Sequence, residues 1–138
     1  MYKNLWMILL IIVGIFLFYL IQKEDDVITK ANVIIYTNGK TSSEKEITDL
    51  KTLQSLQRVF TKIEWNRYIE VKMVRQEDAK IIMFRQVKQH MPEKTIQYKI
   101  WFEHADVGAT IISSDPDENI GTLSKNDAKT LEGIIYQK

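Results

Sequence analysis

Residues 95–103 read TIQYKIWFE, and their strict alternation decides the fold. Successive side chains of a strand point to opposite faces. Ile96, Tyr98, Ile100 and Phe102 therefore fall on one side, and Gln97, Lys99, Trp101 and Glu103 on the other. A strand apolar on one side only belongs to a sheet with one packed face and one open face, the habit of antiparallel sheets. Just upstream, Ala79 to Val87 holds Ile81, Ile82, Met83 and Phe84 without interruption, the pattern of a strand buried on both faces. Pro92 lies in the connection between these two strands, where its missing N–H costs no ladder bond.

Further out, the same pattern recurs. Tyr68 to Val74 sets Ile69, Val71 and Met73 against Glu70 and Lys72 and predicts another strand. Asp106 to Gly108 makes a turn before a strand at Ala109 to Ser113, and Asp115 to Asn119 turns again before Ile120 to Leu123. Toward the N-terminus, Asn38-Gly39 supplies the positive-φ residues of a tight hairpin between strands at Ile28–Tyr36 and Glu44–Thr48.

Two helices complete the pattern. Asp49 is placed to cap a helix in which Leu50, Leu53, Leu56, Phe60 and Ile63 recur at helical spacing. Ser124 and Asp127 stand in the relation of a capping box, with Leu123 placed against Ala128 and Leu131, Ile134 and Ile135 forming an apolar face. The expected class is α+β: an antiparallel meander sheet with two helices packed on one face, occupying residues 28–138.

Ahead of this domain, Leu5 to Ile21 runs LWMILLIIVGIFLFYLI without a charge. At ~1.5 Å per residue such a helix is ~25 Å long, at the short end of bilayer-spanning. Phe16 to Ile21 is too bulky for a signal-peptidase site, and no polar stripe interrupts the run, so an uncleaved anchor is expected over residues 1–22. Tyr2, Trp6 and Tyr19 sit near its ends, where aromatic rings favour the membrane interface. With no cysteine, neither a thiol-linked lipid nor a disulfide scaffold is possible. The amino terminus and Lys3 bias the N-terminus to the cytoplasm, placing the domain outside the cell. Residues 23–27 form a short linker that keeps the domain close to the bilayer.

Chemistry is sparse. The 19 basic and 18 acidic side chains nearly cancel, which argues against a nucleic-acid partner. No phosphate-binding glycine loop and no G-x-S-x-G elbow occurs, and the pairs Ser42-Ser43 and Ser113-Ser114 fall in a polar turn and at a strand end. His90 and His104 lack the converging ligands of a zinc site, although Glu103 and Asp106 flank His104. Glu77-Asp78 needs a third carboxylate opposite it to act as an acid–base pair. No catalytic residue, cofactor or enzymatic activity is therefore expected.

Two features remain as candidate sites. Asp115, Asp117 and Asn119 alternate oxygen ligands as at the start of a calcium loop, although an Asp- and Asn-rich hairpin turn has the same composition. Trp101 shares its face with Gln97, Lys99 and Glu103, an arrangement suited to a partner surface. Its alternative role is to cover the open face, or to pack under Trp65 as core. Arg67, Tyr68 and Arg75 are candidate neighbours of Trp101 whose register the sequence leaves open.

Ile47-Thr48-Asp49 opening a helix, the strand end Tyr98-Lys99-Ile100-Trp101, and Leu123 and Leu131 at the terminal helix carry a resemblance over Ile47 to Ile135. In these residues the chain resembles the YhfM-like domain of small Gram-positive surface lipoproteins. The chain differs in having a bare apolar run where those proteins carry a lipid-modified cysteine. The resemblance implies an extracytoplasmic address and assigns no functional residues. The expected role is a membrane-anchored domain that binds another surface or envelope protein, with the bilayer as its partner through Leu5 to Ile21. The alternative is a small-ligand or ion-binding sensor.

Overall fold

The computed structural model describes residues 2–21, 26–87, 90–103 and 107–138, and in the first helix the side chains of Asn4 to Leu20. That helix, α1, runs Tyr2–Ile21. From Leu5 to Leu20 its large apolar side chains are 46% to 79% exposed, so the whole circumference is bare. Among the described residues, no helix is long and apolar enough to cross a membrane.

After Asp26 the chain builds one antiparallel sheet. β1 (Val27–Thr37) and β2 (Lys40–Ile47) form a hairpin. Asn38 and Gly39 at its tip take φ of 51° and 73°, the paired left-handed conformations of the tight turn that their sequence predicts. α2 (Leu50–Thr61) follows, with Asp49 at its N-cap accepting from the Thr52 N–H at 2.9 Å. The three residues of β3 (Glu64–Asn66) come next, then β4 (Ala79–Gln86), β5 (Lys94–Phe102), β6 (Ala109–Ser113) and β7 (Ile120–Leu123). α3 (Lys125–Tyr136) closes the described chain. Ser124 caps it, accepting from the Asp127 N–H, and its hydroxyl donates to the Asp127 carboxylate at 2.8 Å.

The strand order is β2-β1-β4-β5-β6-β7-β3, with every pair antiparallel. The α+β class and the antiparallel sheet agree with the sequence reading. Only β4 to β7 form a plain meander, however. β2 and β3 are consecutive in the chain yet occupy opposite edges, and α2 carries the chain from one to the other.

Both helices lie on the same face and share one core with the sheet. Leu53, Leu56, Val59 and Phe60 of α2 and Leu131, Ile134 and Ile135 of α3 pack with Val33, Ile81, Met83, Ile96, Tyr98, Ile100 and Ile111. The Phe60 ring meets Tyr98 edge-on at 4.7 Å, and Trp65 lies 6.0 Å from Tyr98 on the other side. Gly121 makes room for that indole: a Cβ there would run into Ile63 and come within 2.7 Å of Trp65. Lys45 turns inward from the edge strand and donates to the carbonyls of Ile134 and Gln137 at 2.8 Å each, satisfying open acceptors at the end of α3. Burial lowers the Lys45 pKa.

Three local expectations need correction. Residues 68–74 are not a strand; the only extended pairing nearby is the short β3. β4 is buried on the helix face but only half-buried at Ile82 and Phe84, because the opposite face carries no layer of helices. Finally, β2 begins at Lys40 and ends at Ile47, so its first half pairs although its sequence is polar.

Candidate functional site on the open face of the sheet

The strap that links β3 to β4 defines this site. β3 lies beyond β7 at one edge, whereas β4 lies between β1 and β5, so residues 67–78 must pass β7, β6 and β5. α2 and α3 occupy the first face, and the strap takes the other. At its start, the Asn119 side-chain amide donates to the carbonyls of Arg67 (3.3 Å) and Ile69 (2.7 Å). Asn119 itself sits at φ 64°, a conformation asparagine tolerates better than most residues. At the strap's end, Arg75 grips Asp78 with both guanidinium nitrogens, at 2.8 and 3.1 Å, and also donates to the Phe102 carbonyl at 3.0 Å. Hydrogen bonding to Asp78 raises the Arg75 pKa further. The Asp78 carboxylate in turn accepts the Phe102 N–H at 2.7 Å.

Trp101 is held under this strap. It lies on the open face, as the alternation predicts, but is only 3% exposed, and its indole N–H donates to the Arg75 carbonyl at 2.9 Å. The expectation of a solvent-facing Trp101 is therefore corrected. Trp101 does not itself form the cover of the open face, nor does it pack under Trp65, which lies on the other face against Tyr98; it is buried beneath the strap. Gln97 and Lys99 remain exposed beside it, and Glu103 is half-buried. Of the three candidate neighbours, Arg75 is a direct partner of Trp101, while Tyr68 projects away at 90% exposure and Arg67 is bound at the far end of the strap.

Strap and sheet together enclose a groove of about 520 Å³. Val71 and Met73 form one wall, Gln97, Lys99 and Trp101 the floor, and Ser114 one end. An apolar wall there faces the Lys99 ammonium and the Gln97 amide. The two serines nearby are both hydrogen-bonded. Ser113 donates to Glu118 at 2.6 Å and accepts the Asp115 N–H, while the Ser114 hydroxyl accepts the Gln97 N–H at 2.9 Å.

The Asp115–Asn119 turn is closed in the same way. One Asp115 oxygen accepts from Lys94 at 2.7 Å and the other from the Asp117 N–H at 3.0 Å. The Lys94 hydrogen bond holds the Asp115 carboxyl below the usual carboxylate range and raises the Lys94 pKa in return. With the Asn119 amide turned to the strap, the candidate ligands Asp115, Asp117 and Asn119 do not converge. No group of three His, Cys, Asp or Glu among the described residues is placed to hold a metal ion.

Beside this turn, Tyr98 donates to Glu118 at 3.3 Å, and burial pushes its hydroxyl far above the ordinary phenol range. The Arg85 guanidinium lies 5.7 Å from the Tyr98 ring centre. Of the remaining candidates, Asp78 is taken up by Arg75 and Phe102, while Glu77 is buried beside it. His104 and Asp106 lie outside the described residues.

No family model matches this chain, and no match is found among curated proteins or among solved structures.

Proposed function

We propose that this chain is a single-pass membrane protein whose α+β domain stands outside the cytoplasm and binds another surface or envelope protein. The observation that carries this reading is the bare circumference of α1. Fifteen large apolar side chains between Leu5 and Leu20 are exposed at once. At ~1.5–3 kcal/mol for each one removed from water, they favour an apolar medium by roughly 20–45 kcal/mol. That exceeds the ~5–15 kcal/mol by which a whole domain is usually stable, so α1 would not remain in water. The helix of 20 residues is ~30 Å long, close to the thickness of a bilayer's hydrocarbon core. Lys3 and the amino terminus favour the cytoplasmic side for its start. The resemblance to the YhfM-like domain points to the same address.

The surface offered to a protein is the open face, where Gln97 and Lys99 stay exposed beside the strap. A second reading, a small-ligand sensor, is favoured by the groove beneath the strap. Because the chain has no cysteine, a single Lys40→Cys variant tests the address. A membrane-impermeant maleimide should label it on intact cells. Labelling only after permeabilisation would reverse the orientation, and recovery outside the membrane fraction would remove the anchor. Photo-cross-linking from position 99 then separates the two readings: a discrete protein adduct supports partner binding.

A further inference from the structure

We infer that the end of the domain nearest the anchor is itself a lipid-contacting surface, resting among the zwitterionic headgroups around α1. This depends on α1 being the membrane anchor. The strand pairings fix which end is concerned. Val27 faces Gln86, Arg85 faces Lys94, Tyr98 faces Ser113 and Ile112 faces Ile120, so the start of β1 and the β4–β5 and β6–β7 connections gather at one end. Asp26 is tied there: its carbonyl accepts from Gln57 at 2.9 Å, and its carboxylate accepts from Arg85 at 3.3 Å. Five residue steps separate Ile21, the end of α1, from Asp26. Even a fully extended chain covers no more than ~18 Å in five steps. An anchored α1 therefore holds this end against the bilayer surface.

The exposed apolar side chains gather at the same end. Among the described residues outside α1, nine large hydrophobic ones are exposed, and six of them lie here: Val27, Leu50, Tyr68, Ile69, Val87 and Met91. Leu50 joins Val27 across a shared groove, Asn119 holds the carbonyls of Arg67 and Ile69 on either side of Tyr68, and Val87 and Met91 belong to the β4–β5 connection. Single exposed hydrophobics are ordinary on a protein surface; their concentration where the anchor enters is the informative feature.

Tyr68 is 90% exposed with the Arg67 guanidinium over its ring at 6.0 Å, an aromatic–cation pair suited to the headgroup layer. On the described connections of this end Arg67, Arg85 and Lys94 stand against Asp26, Glu93, Asp115, Asp117 and Glu118, an acidic excess that disfavours anionic lipid and leaves zwitterionic headgroups as the fitting surface. The contact need not be strong, because the tether makes it intramolecular.

The full chain in phosphatidylcholine vesicles tests this with one polarity-sensitive label on a single introduced cysteine. Phe16→Cys reports the anchor, Tyr68→Cys and Met91→Cys report the surface, and Lys40→Cys reports the opposite end of the sheet. Lipid-borne nitroxide should quench labels at 16, 68 and 91 at least twofold more than the label at 40. Quenching at 16 with positions 68 and 91 no different from 40 would overturn the proposal and leave the anchor reading intact. No quenching at 16 would remove both. Shielding of 68 and 91 from aqueous iodide without nitroxide quenching would point to protein contact and also overturn it.

Discussion

The two faces of the sheet are covered by different means. On one, α2 and α3 lay continuous apolar stripes over Tyr98, Ile81 and Ile111, and nearly every contact is hydrocarbon. On the other, residues 67–77 cross without strand pairing, and the strap is fastened at its ends by polar bonds from Asn119, Arg75 and Asp78. Helices seal a face because their side chains repeat every turn; a single extended chain covers only what lies directly beneath it. The second face therefore keeps a groove beside a buried tryptophan.

Cutting into the helix face should have the largest effect. Leu131→Ala, in a fully buried position, should cost about 2–5 kcal/mol in urea unfolding of the full chain in mild detergent, as a single cooperative transition. Trp101→Ala should fall at the low end of the ~3–5 kcal/mol usual for truncating a buried aromatic, because the strap above can settle into the space left behind. Its distinguishing result is local: proteolysis within residues 67–78 should accelerate severalfold while the core holds. An equal loss of stability from both substitutions, with no selective cleavage, would show that strap and core unfold as one unit.

Asn119→Gly isolates the strap's first fastening. Glycine keeps the left-handed backbone, so the loss of the two side-chain bonds dominates, and about 1–3 kcal/mol is expected, read as faster amide exchange near Ile69. The smallest effect is the ion pair at the turn. The Asp115 pKa lies below its unfolded value, so its contribution is present above about pH 4 and disappears as pH falls through the folded-state pKa. The raised Lys94 pKa gives the opposite limb, complete below its ordinary value and lost as pH rises through the folded one. Asp115→Asn should cost under about 1 kcal/mol at pH 7 and flatten the acid limb of a stability-versus-pH curve.

The sheet was readable where residues near in sequence decide the outcome. Thr95 to Glu103 alternates because each side chain meets either the core or the second face, and Asn38-Gly39 turns because its own backbone prefers positive φ. The cover over Trp101 was not readable. Its indole bonds to Arg75, 26 residues away in sequence, and alternation assigns a face without saying what lies on it. Tyr68 to Val74 misled for a related reason. Its residues alternate like a strand, but four strand spacings separate β3 from β4, ~19 Å at ~4.8 Å each, so this segment crosses the sheet instead of joining it. The Asp115–Asn119 turn was half readable: its composition fits a ligand loop or a capped turn, and Lys94, 21 residues upstream, closes it.

What the sequence alone determined was local and periodic: an N-terminal helix with a long uncharged run, strands with one apolar side, two capped amphipathic helices and a tight hairpin. These follow from side-chain spacing and backbone preference within a few residues. The tertiary structure decided which strand took each edge, that residues 67–78 cross the second face, and that Trp101 is buried under them. Those outcomes depend on connections across the width of the sheet, and no local preference encodes that distance.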